Sequence, residues 1–134
     1  MNLYFFGGTF DPPHLGHLKI AKYCLSFCDR FLFIPTKKSP HKKIMPIATT
    51  TQRKNMLKLL IEDVPKAEII DYEIKNDPPS YTWLTIQFLK TKFNPKKITM
   101  VIGADQLSRL DRWKDINKIY QNVEILCFNR GKIY

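Results

Sequence analysis

Short apolar runs and helical apolar stripes take turns along this chain. Residues 2–6 are rich in β-formers and stop at Gly7-Gly8. Residues 15–27 place Leu18, Ala21, Cys24 and Leu25, followed by Cys28, at helical spacing. Residues 31–34 are wholly apolar and end at Pro35, the pattern of a buried strand. Residues 36–48 hold Pro40, Pro46 and several lysines and read as an exposed loop. Thr49 and Gln52 have capping-box spacing, and Met56, Leu57, Leu60 and Ile61 then share a helix face. Residues 68–74 read as a strand, broken by Asn76-Asp77-Pro78-Pro79. Ser80 can cap a helix running to Lys92. Residues 98–102 form the next buried strand, short helical pieces reach Tyr120, and residues 123–128 form a last strand. Strands alternating with helices predict an α/β fold, an open parallel sheet of about five strands with helices on both faces.

Composition adds bounds rather than detail. The 134 residues, 44% of them hydrophobic, suit one domain with one sizeable core. No repeat, low-complexity tract or linker divides residues 1–134. The longest apolar runs are too short to span a bilayer, and the start lacks the basic, apolar and small-residue succession of a secretion signal. Three cysteines make no disulfide framework and read as buried free thiols, so a cytoplasmic protein without membrane contact is expected. The net charge of +10 calls for an anionic partner. Most lysines are scattered; Lys37, Lys38, His41, Lys42 and Lys43 form the one local concentration. No stripe of basic and aromatic residues supports a nucleic-acid partner.

The most informative stretch is Gly7-Gly8-Thr9-Phe10-Asp11-Pro12-Pro13-His14-Leu15-Gly16-His17, between the first strand and the first helix. Ligands of open α/β sheets bind at the carboxyl ends of the strands. Gly7 and Gly8 are expected to turn the backbone tightly there, and the helix start offers N–H groups and a positive dipole end to phosphate. His14 and His17 stand three residues apart and can both address one anion, each as a donor and each charged when phosphate raises its pKa. A zinc site would need further Cys, His or carboxylate ligands at suitable spacing, which are not nearby. Purely structural histidines are the other alternative; two of them in a glycine-rich turn favour phosphate binding.

That stretch closely resembles the signature of the cytidylyltransferase-like nucleotidyltransferases, and more narrowly the bacterial nicotinate-nucleotide adenylyltransferases. Further matches follow in order: Ser39-Pro40-His41-Lys42, Asp77-Pro78-Pro79-Ser80-Tyr81-Thr82, Ile102-Gly103-Ala104-Asp105, Leu110 with Trp113-Lys114, and Phe128-Asn129-Arg130-Gly131. The likeness covers essentially the whole chain. It implies a Rossmann-like fold and adenylyl transfer from ATP to nicotinate mononucleotide, giving deamido-NAD and pyrophosphate in NAD biosynthesis. Members of this family continue to a Ser/Thr-rich segment with an arginine that contacts the ATP phosphates. These 134 residues do not contain it, which implies either an incomplete chain or a compromised ATP site.

The resemblance also implies roles for single residues. His14, His17 and Lys42 would be catalytic. Gly7, Gly8, Thr9, Phe10, His14, His17, Gly103, Asp105 and Arg130 would bind ATP. Tyr81, Thr82, Trp113 and Lys114 would bind the nicotinate nucleotide. Magnesium would arrive with ATP, held largely through the triphosphate rather than by a protein metal site. For Arg130 a surface role stays open beside phosphate binding, for Asp105 a helix cap beside ribose, and for Trp113 core packing beside the ring. Where Lys114 stands the family often has an aromatic residue, so Lys114 could instead favour an acid. Alternatives for the whole protein are a phosphopantetheine or nicotinamide-mononucleotide adenylyltransferase, or a truncated nucleotide-binding module without activity. A homo-oligomer is compatible with all of these.

Overall fold

The computed structural model describes residues 1–37, 47–75, 81–129 and 132–133. Its sheet has the order β3-β2-β1-β4-β5-β6. The strands are β1 (Asn2–Gly8), β2 (Arg30–Pro35), β3 (Ala67–Ile69), β4 (Lys97–Gly103), β5 (Glu124–Asn129) and β6 (Lys132–Ile133). The first five pair in parallel, and β6 adds a short antiparallel edge against β5 that the apolar pattern did not reveal. The helices are α1 (Leu15–Cys24), α2 (Thr50–Ile61), α3 (Tyr72–Lys75), α4 (Thr82–Phe93), α5 (Ala104–Leu107) and α6 (Ile116–Asn122), with a 3-10 turn at Leu110–Arg112. None of the described helices is long and apolar enough to cross a membrane.

Strand alternation divides the core into two layers. Leu3 and Phe5 of β1, Leu32 and Ile34 of β2, and Ile98, Met100 and Ile102 of β4 face α4 and α6, packing on Ile86, Leu89 and Ile119. Phe6, Phe31, Phe33 and Val101 face the other way, onto Ala21 and Cys24 of α1 and Leu57 and Ile61 of α2. Both strand faces are covered, which is why the runs read as continuously apolar. The strand order reverses between β1 and β4. That switch point opens a crevice at the carboxyl ends of both strands.

Several elements differ from their sequence-based expectations. The 68–74 segment is not one strand. β3 ends at Ile69, and the chain turns into α3, with Asp71 bound to Lys54 at 2.8 Å and to Lys75 at 3.2 Å. α1 stops at Cys24 rather than reaching residue 27, because the Phe27 N–H turns back onto the Cys24 carbonyl. α6 runs on to Asn122, past Tyr120. The Thr49–Gln52 capping box forms as read, with Thr49 Oγ1 accepting from the Gln52 N–H at 3.1 Å and Gln52 Oε1 accepting from the Thr49 N–H at 2.9 Å.

The loop ends around the crevice are gathered by a residue of α2. Arg53 is 1% exposed. Its Nη1 donates to the carbonyls of Thr9 (2.6 Å) and Thr36 (2.5 Å), its Nη2 to Lys37 (3.3 Å) and its Nε to Ala48 (3.2 Å). Asp11 accepts from the N–H groups of Ile47 (2.6 Å) and Ala48 (2.9 Å) and lends its negative charge to Arg53. A planar fork with five donors suits this geometry, and a lysine ammonium does not reproduce it. Arg53→Met should therefore cost about 3 kcal/mol in urea unfolding, because part-buried carbonyls lose their donors. Arg53→Lys should recover less than half of that loss. Wild-type stability in the methionine variant would show that the loops hold themselves.

Candidate functional site

β1 enters the crevice fully extended. Gly7 and Gly8 still pair with Ile34 and Pro35 of β2, so they lie in the strand and do not make the turn expected of them. The turn falls at Phe10, whose φ of 51° is in the left-handed region. A Cβ on Gly8 would meet the Phe10 ring at 3.5 Å, an ordinary van der Waals contact. The ring itself is 3% exposed and packs edge-on to Phe6 and Phe33. Phe10 can thus meet a ligand mainly through its backbone.

The chain then reaches α1, whose start is built by the two histidines. His14 is the N-cap, and its Nδ1 accepts from the Gly16 N–H at 3.0 Å. His17 reaches back, and its Nδ1 accepts from the His14 N–H at 3.0 Å. The pair forms a capping box from imidazoles in place of the usual hydroxyl and carboxylate. The rings stack with centroids 3.8 Å apart and planes at 23°. His17 also lies edge-on to Phe10 at 4.9 Å and to Phe6 at 5.7 Å.

This geometry decides the protonation. An accepting Nδ1 places the imidazole proton on Nε2, so each ring keeps one N–H donor free for a ligand. Burial pushes the His17 imidazole down to about 4, and the neighbouring His14 acts in the same direction. With no phosphate bound, His17 is therefore neutral near pH 7 and offers a hydrogen bond rather than a charge.

Both histidines line a cavity of ≈ 890 Å³ that crosses the β1/β4 switch point. Gly7, Gly8, Thr9 and Phe10 line it from the β1 side, and Gly103 and Asp105 from the β4 side. Gly103 is the N-cap of α5, and a Cβ there would lie 2.7 Å from Asp105 Oδ1, a carboxylate that is itself exposed. Tyr81, Thr82, Trp113 and Lys114 line the same cavity. Lys114 Nζ sits 4.7 Å from the centre of the Tyr81 ring, a cation–π contact. Trp113 is half-buried and packs against the α4/α6 core layer while one part of it reaches the cavity.

The start of α4 differs from the reading that Ser80 caps it. Tyr81 is the N-cap residue, and no side chain caps the helix. The Leu84 and Thr85 N–H groups bond back to the Tyr81 carbonyl, while those of Thr82 and Trp83 have no acceptor among the described residues. The structure thus leaves donors where an anion would be welcome. Ser80, Lys42 and Arg130 lie outside the described residues, as does most of the basic 37–43 cluster.

Reading the sequence missed Lys19, Tyr23, Thr36, Glu73 and Asn129, all of which line the cavity. Thr36 Oγ1 is buried without a hydrogen-bond partner among the described residues, and a ligand could supply one. Lys19 and Tyr23 stand on α1, four residues apart, and that spacing from the histidine turn was the available signal.

Comparison with known proteins bears on the fold and the family. The model of the cytidylyltransferase-like family matches residues 5–133. A probable nicotinate-nucleotide adenylyltransferase of Caldicellulosiruptor saccharolyticus is 39% identical over 134 residues, covering 98% of this chain and 67% of the relative. Another, from Clostridium novyi, is 40% identical over 129 residues, covering 94% and 64%. The chain therefore spans about two thirds of the length of these relatives. A solved structure from Vibrio parahaemolyticus, provisionally named a nicotinate-nucleotide adenylyltransferase, superposes with a TM-score of 0.80 at 20% identity, covering 98% of this chain and 75% of that one. At that identity it supports the fold.

The imidazole geometry makes a direct prediction. In nitrogen-detected NMR titration, His17 should show an unprotonated Nδ1 and a midpoint near 4 in place of the ordinary 6.5. In the unfolded chain this ring takes a proton below about pH 6.5. The native ring resists it, so stability owed to neutral His17 falls as pH drops through that window. A midpoint near 6.5 would overturn the assignment.

Proposed function

The chain belongs to the cytidylyltransferase-like family, and on that premise we propose that it transfers the adenylyl group of ATP to nicotinate mononucleotide. An oxygen of the mononucleotide phosphate attacks the α-phosphorus of ATP. The bond from that phosphorus to the β-phosphate bridge breaks, deamido-NAD forms and pyrophosphate leaves. The observation that carries this reading is one cavity holding a pair of stacked imidazoles at one strand end and the uncapped start of α4 with Trp113 at the other.

The attacking phosphate is already an oxyanion, so the reaction calls for alignment and charge stabilisation more than for a base. In this reading the Nε2–H groups of His14 and His17 meet the ATP phosphates, and preorganised donors suit negative charge that grows in the transition state. Backbone at Gly7 to Phe10 cradles the nucleotide, and Gly103 and Asp105 take the ribose side. Lys42 and Arg130 keep the phosphate-binding roles that the resemblance implies. Magnesium is the divalent ion of this reading, bound through the triphosphate and supplying charge neutralisation there. Among the described residues no three His, Cys, Asp or Glu side chains gather into a metal cage, and Asp105 is the carboxylate beside the switch point.

The acid is favoured over the amide because the Thr82 and Trp83 amides only donate. A carboxylate only accepts, whereas a carboxamide would also need an acceptor for its own N–H groups. Lys114 adds a positive charge at the same end, and Trp113 gives the pyridine ring a flat face. The reading places the protein among soluble cytoplasmic enzymes, leaves a homo-oligomer open and assigns it no nucleic-acid partner.

Two measurements test it. Pyrophosphate release should be followed with Mg-ATP and a panel of nicotinate mononucleotide, its amide and phosphopantetheine. Nicotinate mononucleotide should give the highest kcat/KM; an equal value for the amide would remove the acid preference, and turnover of phosphopantetheine alone would replace the acceptor. His17→Ala should lower kcat by about 10²–10³, the usual loss for one preorganised donor. It also removes half of the α1 capping box, so a thermal melt should accompany it. Near-normal turnover in a folded variant would refute the role given to His17.

A further inference from the structure

Glu73 is a carboxyl in an unexpected place. It is 6% exposed, lines the cavity, and stands on α3, the single turn that follows β3. Thr85 of α4, itself fully buried, donates its hydroxyl to Glu73 Oε2 at 2.7 Å. One turn further along α4, Phe88 stacks on Tyr72, with ring centroids 4.3 Å apart and planes at 23°. The turn and the helix are thus joined by neighbouring residues of α3 reaching neighbouring turns of α4. The stack supplies area, and the hydrogen bond supplies direction.

Thr85 lies one turn beyond Thr82 on the same helix, and the helix start has no side-chain cap to hold it. Whatever anchors Thr85 therefore sets the depth of Thr82, and of the free amides of the first turn, at the cavity wall. Burial pushes the Glu73 carboxyl up to about 7, against the downward pull of the Thr85 hydroxyl. That lessens the negative charge an anionic ring would meet on this wall. A hydrophobic residue at position 73 could fill the space but could not hold the Thr85 hydroxyl.

We propose that Glu73 is a positioning residue for the pyridine end of the site, where its bond to Thr85 fixes the first turn of α4 at the depth at which the ring carboxylate is read. This inference rests on the nicotinate reading above. Glu73 acts through α4 and need not touch the ligand. Its loss should act on the acceptor nucleotide and spare the ATP side, which is built on β1, α1 and the end of β4.

Steady-state kinetics of the full chain with Mg-ATP and nicotinate mononucleotide test this in wild type, Glu73→Ala, Glu73→Gln, Thr85→Val and Thr85→Ser. Glu73→Ala and Thr85→Val should raise KM for nicotinate mononucleotide about tenfold or more, with kcat and the KM for ATP held within about threefold. Glu73→Gln keeps an acceptor and Thr85→Ser keeps the donor, so both should restore most of the lost affinity. Parallel losses on the ATP side would make the pair merely structural and overturn the proposal, as would an unchanged acceptor KM. Should Glu73→Ala fail to fold, Thr85→Val against Thr85→Ser decides. A wild-type protein that uses nicotinate mononucleotide beside an unaffected Glu73→Ala sinks this inference alone. A wild-type protein that rejects that acceptor and uses another sinks the acceptor reading and this inference with it.

Discussion

Arg53 reaches from α2 to the carbonyls of Thr9, Thr36, Lys37 and Ala48, and the crevice at the strand ends depends on that reach. The carboxyl ends of β1 and β2 must diverge from the sheet there, and their peptide groups leave the ladder while still shielded from water. Such groups need partners, and unmet buried carbonyls are costly. One guanidinium answers them together, and Asp11 completes the arrangement by taking the N–H groups of Ile47 and Ala48. Thr9 precedes the left-handed Phe10, and the histidine turn follows within a few residues. A side chain that does not itself line the cavity thus holds the backbone that presents the cavity's donors.

The second constraint is that the site's histidines, in the proposed reading, serve structure and chemistry at once. Each spends its Nδ1 on the start of α1 and is left with Nε2–H. The two uses reinforce each other. The capping bonds fix the tautomer and the ring orientation, and the His14 stack with the edge-on rings of Phe10 and Phe6 desolvates His17 until it stays neutral. For a polyphosphate ligand this trades ground-state charge attraction for preorganised hydrogen bonding. Cationic attraction in this neighbourhood then falls to lysines such as Lys19 of α1.

At the opposite end, α4 begins without a cap and α3 is a single turn. A helix start that is unsatisfied within the protein costs stability unless water or a ligand completes it. Here its first residues line the same cavity as Trp113 and Lys114, and in the proposed reading a bound carboxylate completes it. The two ends of the cavity thus share one design, free N–H donors on rigid elements, with imidazoles at one end and peptide groups at the other.

Much of this was legible in the residues alone, and the line between what was and what was not is physical. The central strands were readable because both their faces are buried, which makes 31–34 and 98–102 continuous apolar runs. Thr49 and Gln52 announced a helix start because a capping box is local. The histidine turn and the pairing of Thr82 with Trp113 were readable as motifs, and the structure brings them to one cavity. The 68–74 stretch was misread because its apolar residues are equally compatible with a strand or with a short strand and a turn. Only its packing on β2 and α4, through Ile70, Tyr72 and Glu73, chose between them. Nothing local marked Arg53, which follows polar residues at a helix start and finds Thr9 at a separation of 44 residues. The same holds for the neutrality of His17, set by rings from β1 and the turn, and for Glu73, set by a hydroxyl 12 residues on. Sequence by itself determined the periodicities, the caps and the chemistry-bearing motifs, because these depend on neighbours along one element. Tertiary structure decided which carbonyls, rings and hydroxyls meet across elements, because burial and protonation depend on what the packed chain places around each group.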